Sequence, residues 1–205
     1  MASFATRHIA RGTTIRASDC GSLADRGSSL KVEALLGATD QQLRTSGIDY
    51  TITAPSFFMQ NFISFFTDDY KSGTIYQPVG EEKIGWVDVR DIAAVNAEVL
   101  LNPGRYKGRE LTITGGESLS YTEAIAIMNE RLGATTQFVS ITDEAAVEAV
   151  SAAQFPEFII DVMISLNHSI RQGHAEKTTN TVQEVTGRPP ITFRQFVDDH
   201  RTTWL

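Results

Sequence analysis

The spacing of apolar residues changes several times along the chain, and each change predicts an element. Residues 13–18, TTIRAS, are short and β-branched and predict a strand. Residues 21–29 are rich in Gly, Ser and Asp and predict a loop. Residues 31–45 follow a helical pattern that stops at Ser46 and Gly47, a natural C-cap. Residues 48–53 then predict a strand stopped by Pro55. Strand, helix, glycine stop and strand form one βαβ unit, which implies a parallel sheet.

Residues 57–70 are aromatic and apolar and predict one helix buried against that sheet, ended by a turn at 71–73. Residues 74–77 and 83–87 predict strands. Asp91 is expected to cap the next helix, with Ile92, Val95, Val99 and Leu100 on its inner face and a stop at 102–104. Residues 111–114 predict a strand closed by Gly115 and Gly116. Ser120 and Glu123 have the spacing of a capping box, opening a helix that runs to Arg131. A short strand at 137–141 and helices at 143–151 and 155–172 follow. Thr192 and Gln195 form a second capping box, flanked by Ile191 and Phe196 as a hydrophobic staple, and the last helix runs towards Trp204. Strands alternate with helices early and helices dominate late. The expected fold is α/β, with a mainly helical C-terminal part covering one end of the sheet.

Composition narrows the function. The chain has 205 residues, enough for one domain with a sizeable core. Its net charge is −7 and it has no basic run, which argues against contact with nucleic acid, because phosphate binding rests on Lys and Arg. No stretch approaches the ~18 apolar residues of a membrane span. Residues 1–10 carry Arg7 and His8 without an apolar segment, so no secretory signal is expected. Cys20 is the only cysteine, which rules out an internal disulfide and points to a cytoplasmic protein. His8, His168, His174 and His200 are scattered, so no metal site is expected. Gly37-Ala38-Thr39-Asp40 lies inside a helical pattern, lacks further glycines and places a carboxylate where phosphate would sit.

Four ordered motifs carry a family resemblance. The first is Ser46-Gly47 and the strand after it, followed by Pro55-Ser56-Phe57-Phe58-Met59-Gln60-Asn61. The second is Asp88-Val89-Arg90-Asp91-Ile92-Ala93, and the third is Leu111-Thr112-Ile113-Thr114-Gly115-Gly116. The fourth is Thr186-Gly187-Arg188-Pro189, then Phe193 and Phe196. Together they resemble NmrA-like proteins, an atypical branch of the short-chain dehydrogenase/reductase superfamily. The resemblance runs from about Ile15 to Trp204. It implies a single domain over 1–205 with a partial Rossmann-type parallel sheet, equivalent to the C-terminal two-thirds of the family fold. In such proteins the glycine-rich nucleotide loop lies well upstream of a strand like that holding Ile15. A second registration, in which residues 10–17 resemble the end of the family's first helix and its second strand, requires an internal deletion afterwards.

The same resemblance implies site residues. Ser18 would stand at a strand's C-terminal end, where ligands bind in parallel sheets and where related reductases place Ser or Thr near the nicotinamide; the structural alternative is a Ser that starts a loop by bonding backbone. Pro55, Ser56, Phe57 and Asn61 would line the nicotinamide side of a cleft, where aromatic walls and one amide suit a flat ring. Phe62, Phe65 and Phe66 are expected in the core, as are Trp86 and Trp204. Asp88, Arg90 and Asp91 are expected to cap and pair. The superfamily's Tyr-x-x-x-Lys relay is not visible: Lys31 has no Tyr before it, and Leu36 and Gly37 stand where relatives carry Lys or His.

The resemblance therefore implies an NAD(P)H-dependent oxidoreductase of quinones or small carbonyl compounds, with a non-enzymatic NAD(P)-responsive regulator as the alternative. NADP or NAD is the family cofactor. This chain, without a glycine-rich loop, is expected to bind it weakly or not at all. A small-molecule substrate is the expected partner. A sheet edge left exposed is expected to promote self-association.

Overall fold

The computed structural model describes residues 14–16 and 31–205. Ser18 and the 21–29 loop lie outside the described residues. The fold is α/β, as expected. Strand β1 (Thr14–Arg16), helix α1 (Lys31–Thr45) and strand β2 (Tyr50–Pro55) form the first βαβ unit. Gly47 follows α1 at φ +73°, a conformation that costs other residues more. Two short helices come next, α2 (Asn61–Ser64) and α3 (Thr67–Ser72), then strand β3 (Thr74–Gln77). Helices α4 (Val89–Leu101) and α5 (Pro103–Tyr106) lead to strand β4 (Glu110–Ile113). Helix α6 (Tyr121–Leu132) leads to strand β5 (Gln137–Ser140). Helices α7 (Asp143–Ala152), α8 (Glu157–Arg171), α9 (Thr181–Thr186) and α10 (Phe193–His200) follow, and a single 3-10 turn (Arg201–Thr203) comes after α10.

The main sheet is parallel, in the order β1-β2-β4, and β3 pairs with β5 in a separate parallel ribbon. Helices α1 and α4 pack on β2, α9 on β4, α8 on α1, and α10 on α6. One core gathers Phe62, Trp86, Tyr121, Phe193, Phe196 and Trp204, with rings meeting mostly edge to face. A second joins Ile92, Val95 and Val99 of α4 to Leu111 and Ile113 of β4.

Several expected elements take a different form. Residues 57–70 are not one helix, because their backbone groups are engaged elsewhere. Val87 N–H donates to Phe57 O and Met59 N–H to Val87 O, both at 2.9 Å, which holds 57–59 extended. The Thr67 hydroxyl donates to Ile63 O at 2.7 Å and separates α2 from α3. Phe65, expected in the core, is 68% exposed in that break. Residues 83–87 form isolated bridges rather than a strand; Trp86 N–H turns back to Ile84 O at 2.9 Å.

β2 continues through Pro55 instead of stopping before it. Ile52 and Ser56 N–H both point to β4, donating to Arg109 O and Ile113 O. Strand alternation puts the position of the missing Pro55 N–H on the β1 side, beyond the last described β1 pairing at Arg16 and Ile52, so no ladder bond among the described residues is lost. In α4 the cap is Asp88, whose side chain accepts from Arg90 N–H, and Asp91 lies in the first turn. Leu100 is 49% exposed and off the inner face.

The capping box at Ser120 and Glu123 is complete. The second is half made: Thr192 accepts from Gln195 N–H, but the Gln195 amide donates forward to Asp199. Among the described residues no helix is long and apolar enough to cross a membrane, and no His, Cys, Asp and Glu group could hold a metal ion.

Candidate functional site

Ligands in parallel α/β sheets bind beside the C-terminal ends of the strands. The central strand β2 ends at Pro55, and residues 55–61 form the loop beyond that end. The fold clamps this loop from three sides. Ser56 N–H donates to Ile113 O of β4 at 2.8 Å. Phe57 and Met59 bond Val87 as described above. The Gln60 side-chain oxygen accepts from Val89 N–H at 3.1 Å, fastening the loop to the start of α4.

Asp88 anchors that clamp. Its carboxylate is fully buried and accepts from Arg90 N–H, Nε and Nη2 at 2.8, 3.0 and 2.8 Å. Burial alone would raise its pKa, but the Arg90 guanidinium and N–H, with the Gln60 amide, outweigh burial and hold the carboxyl below its ordinary range. Arg90 Nη1 reaches on to Asp199 at 2.7 Å. Asp91, also fully buried, accepts from Ile191 N–H at 2.8 Å, and Arg188 Nη1 lies 2.6 Å from its other oxygen. These residues tie the 55–61 loop and α4 to the C-terminal segment; Arg90 pairs with carboxylates as expected, whereas Asp91 holds the C-terminal segment instead of capping α4.

The folded Asp88 carboxylate holds its proton less tightly than an unfolded one, whose pKa is about 3.9. Its contribution to stability is therefore complete above that value and is lost as pH falls through the lower folded value. Melting temperatures of wild type and Asp88→Asn, followed from pH 7 downwards, should show a gap that narrows as the solution is acidified below about pH 4. A constant gap would mean that the Asp88 charge contributes nothing.

The loop brings four of the five candidate residues together. Pro55 is buried at the end of β2. Ser56 is 1% exposed, and its hydroxyl has no hydrogen-bond partner. Phe57 is 7% exposed and packs edge-on against Trp86 at 6.1 Å, so its ring belongs to the core wall behind the loop. Asn61 opens α2, is half-buried, and its side-chain amide makes no hydrogen bond among the described residues. Phe58 is half-buried and leans on the second core. Ser18 lies outside the described residues.

Gln60 and Gly115 escaped the sequence reading. Gln60 resembles any surface amide until its contact with Val89 is seen. A Cβ on Gly115 would lie 2.0 Å from Trp86 O, so this glycine lets β4 and the 84–87 segment meet. The Gly-Gly pair after a strand was its only signal.

A parallel sheet with helices packed on it and a clamped loop at the central strand's C-terminal end defines the Rossmann-type class. The NmrA-like family pattern matches residues 39–187, and the chain belongs to the NmrA-like family. An NAD(P)H azoreductase of Xenophilus azovorans is 35% identical over 173 residues, covering 84% of this chain and 60% of the relative. An NADPH-dependent quinone oxidoreductase of Escherichia coli, solved with NADPH, superposes with a TM-score of 0.80 at 19% identity, over 92% of this chain and 65% of that one. The negative transcriptional regulator NmrA, solved with NADP, superposes with a TM-score of 0.70 at 12% identity, over 94% and 67%. The chain thus spans about 60% of the length of the curated relative.

Proposed function

We propose that this chain forms the substrate-side part of an NAD(P)H-dependent reductase of quinones or small carbonyl compounds, with the 55–61 loop on the nicotinamide side of the cleft: Asn61 meets the ring, and Pro55, Ser56 and Phe57 form the wall behind it. The observation that carries the reading is Asn61. It stands on a rigidly held loop at the central strand's end, half-accessible, with an amide that no described residue satisfies. An amide can both donate to and accept from a nicotinamide carboxamide or a substrate carbonyl. The residues present therefore fit the nicotinamide end of the cofactor. Ser56 is sealed within the loop and supports it from behind.

NAD(P)H, when bound, supplies the hydride. The protein's contribution is orientation: Asn61 fixes the plane of a flat ring, Phe58 offers an apolar edge, and the clamp through Val87 and Gln60 keeps the loop from yielding. A chimera in which the unmatched part of the azoreductase relative precedes this chain should oxidise NADPH when a quinone is added, while the chain alone should not. A chimera that binds NADPH but reduces no quinone or small carbonyl compound contradicts the proposal and favours the regulatory alternative.

A further inference from the structure

The β3–β5 ribbon has two edges, and only one is guarded. In a parallel ladder every second residue bonds the neighbouring strand. Gln137 N–H donates to Gly73 O and Ile141 N–H to Gln77 O, so the odd-numbered residues of β5 face β3. The backbone N–H and C=O of Phe138 and Ser140 therefore point outward, and none of these groups has a hydrogen-bond partner among the described residues. Thr74 and Tyr76 point outward from β3 in the same way. That edge is protected: Pro78 follows the last residue of β3, and helix α3, carrying Asp68, Asp69 and Lys71, leads into the strand and packs against it.

β5 has none of these devices. Residues 133–142 contain no charged residue and no proline, in a chain whose net charge is −7. Gln137, Val139 and Ser140 are exposed. The strand is held from its inner face, where the Phe138 ring stacks on Tyr121 with centroids 5.4 Å apart and planes 10° apart. A firmly backed, uncharged edge with unpaired backbone groups is a template for another strand.

We propose that β5 pairs with β5 of a second copy of this chain, antiparallel about a two-fold axis at Val139, so that two ribbons join into one four-stranded sheet. Two observations select a second copy as the occupant. The first is charge. Copies of a chain with net charge −7 repel one another, and an uncharged stretch is where they can approach without opposing like charges. The second is the symmetry of the edge. With the axis at Val139, Phe138 lies opposite Ser140 of the second copy and exchanges both backbone hydrogen bonds with it, and Ser140 does the same with the second Phe138. Val139 then meets Val139 at a site without hydrogen bonds, where side chains approach most closely. Tyr76 pairs with Val139 in the β3–β5 register and shares its face, and the two are 50% and 37% exposed. Pairing therefore lines up Tyr76, Val139, Val139 and Tyr76 as one apolar row across the joined sheet. The contact is small, so the dimer is weak and depends on concentration.

Sedimentation of the full chain through the micromolar range should show a monomer–dimer equilibrium. Amide hydrogen exchange should slow with concentration at Phe138 and Ser140 but not at Val139, whose N–H already bonds β3. Val139→Lys and Val139→Glu place like charges opposite each other at the axis, and each should weaken the dimer at least about tenfold. Because Val139 is exposed, both variants should keep the melting temperature of dilute wild type. An equimolar mixture of the two should dimerise again, since Lys then faces Glu; a loss of folding would not be rescued in this way. A wild type that stays monomeric leaves the edge to a different protein and overturns the proposal. Either variant dimerising as well as wild type, or a mixture that fails to dimerise, places the contact elsewhere and overturns it too.

Discussion

Gly115→Ala should lower stability by at least about 3 kcal/mol, or prevent folding, because the new methyl would lie 2.0 Å from the Trp86 carbonyl oxygen. Relief by a side-chain rotation is not available, since the obstacle is backbone. That backbone is pinned: Trp86 N–H bonds Ile84 O, and the next residue, Val87, bonds Phe57 and Met59. Moving it would drag the 55–61 loop along. Gly104→Ala is the control. A methyl added there has nothing within 4 Å, and the position lies in a helix, so the change should be neutral or stabilise by about 0.5 kcal/mol. Urea unfolding of both variants measures the difference. Equal midpoints would show that β4 and the 84–87 segment do not meet closely.

The second large effect is expected at Phe62. Its ring is fully buried, with centroids 5.0 Å from Phe193, 5.2 Å from Trp86, 5.6 Å from Phe66 and 5.9 Å from Tyr121. Its carbonyl also accepts from the Trp204 indole at 3.3 Å. Phe62→Ala removes the ring that links the loop after β2 to both α6 and α10, and should cost about 3–5 kcal/mol. A loss below about 1 kcal/mol, measured by denaturant unfolding, would mean the aromatic cluster repacks freely.

What was legible in the chain was mostly local. The α1 boundaries, the Gly47 stop and the Ser120–Glu123 box are set by neighbours within a turn, and each formed as its pattern implied. Errors arose where a distant partner decided the outcome. The 57–70 stretch has helical composition, yet Val87 takes its backbone groups thirty residues on and keeps its first residues extended. Asp88, extended just before Val89, is the cap, while Arg188 and Ile191, about a hundred residues later, engage Asp91. Phe65 resembled its buried neighbours Phe62 and Phe66 but fell in the break between two helices. The candidate loop was found through family resemblance; the sequence could not show that Phe57 would pack into the core while Asn61 kept a free amide.

The measurement that bears most directly on the function is NADPH and quinone affinity in the chimera, with Asn61→Ala and Phe62→Ala compared side by side. Asn61→Ala should weaken binding of one or both ligands by about 1–3 kcal/mol, as expected when a hydrogen-bonding partner is removed, while leaving the melting temperature within a degree or two. Phe62→Ala should do the reverse, lowering the melting temperature with little change in affinity at temperatures where the protein remains folded. If Asn61→Ala leaves both affinities unchanged, residues 55–61 are scaffold, and the cleft lies elsewhere.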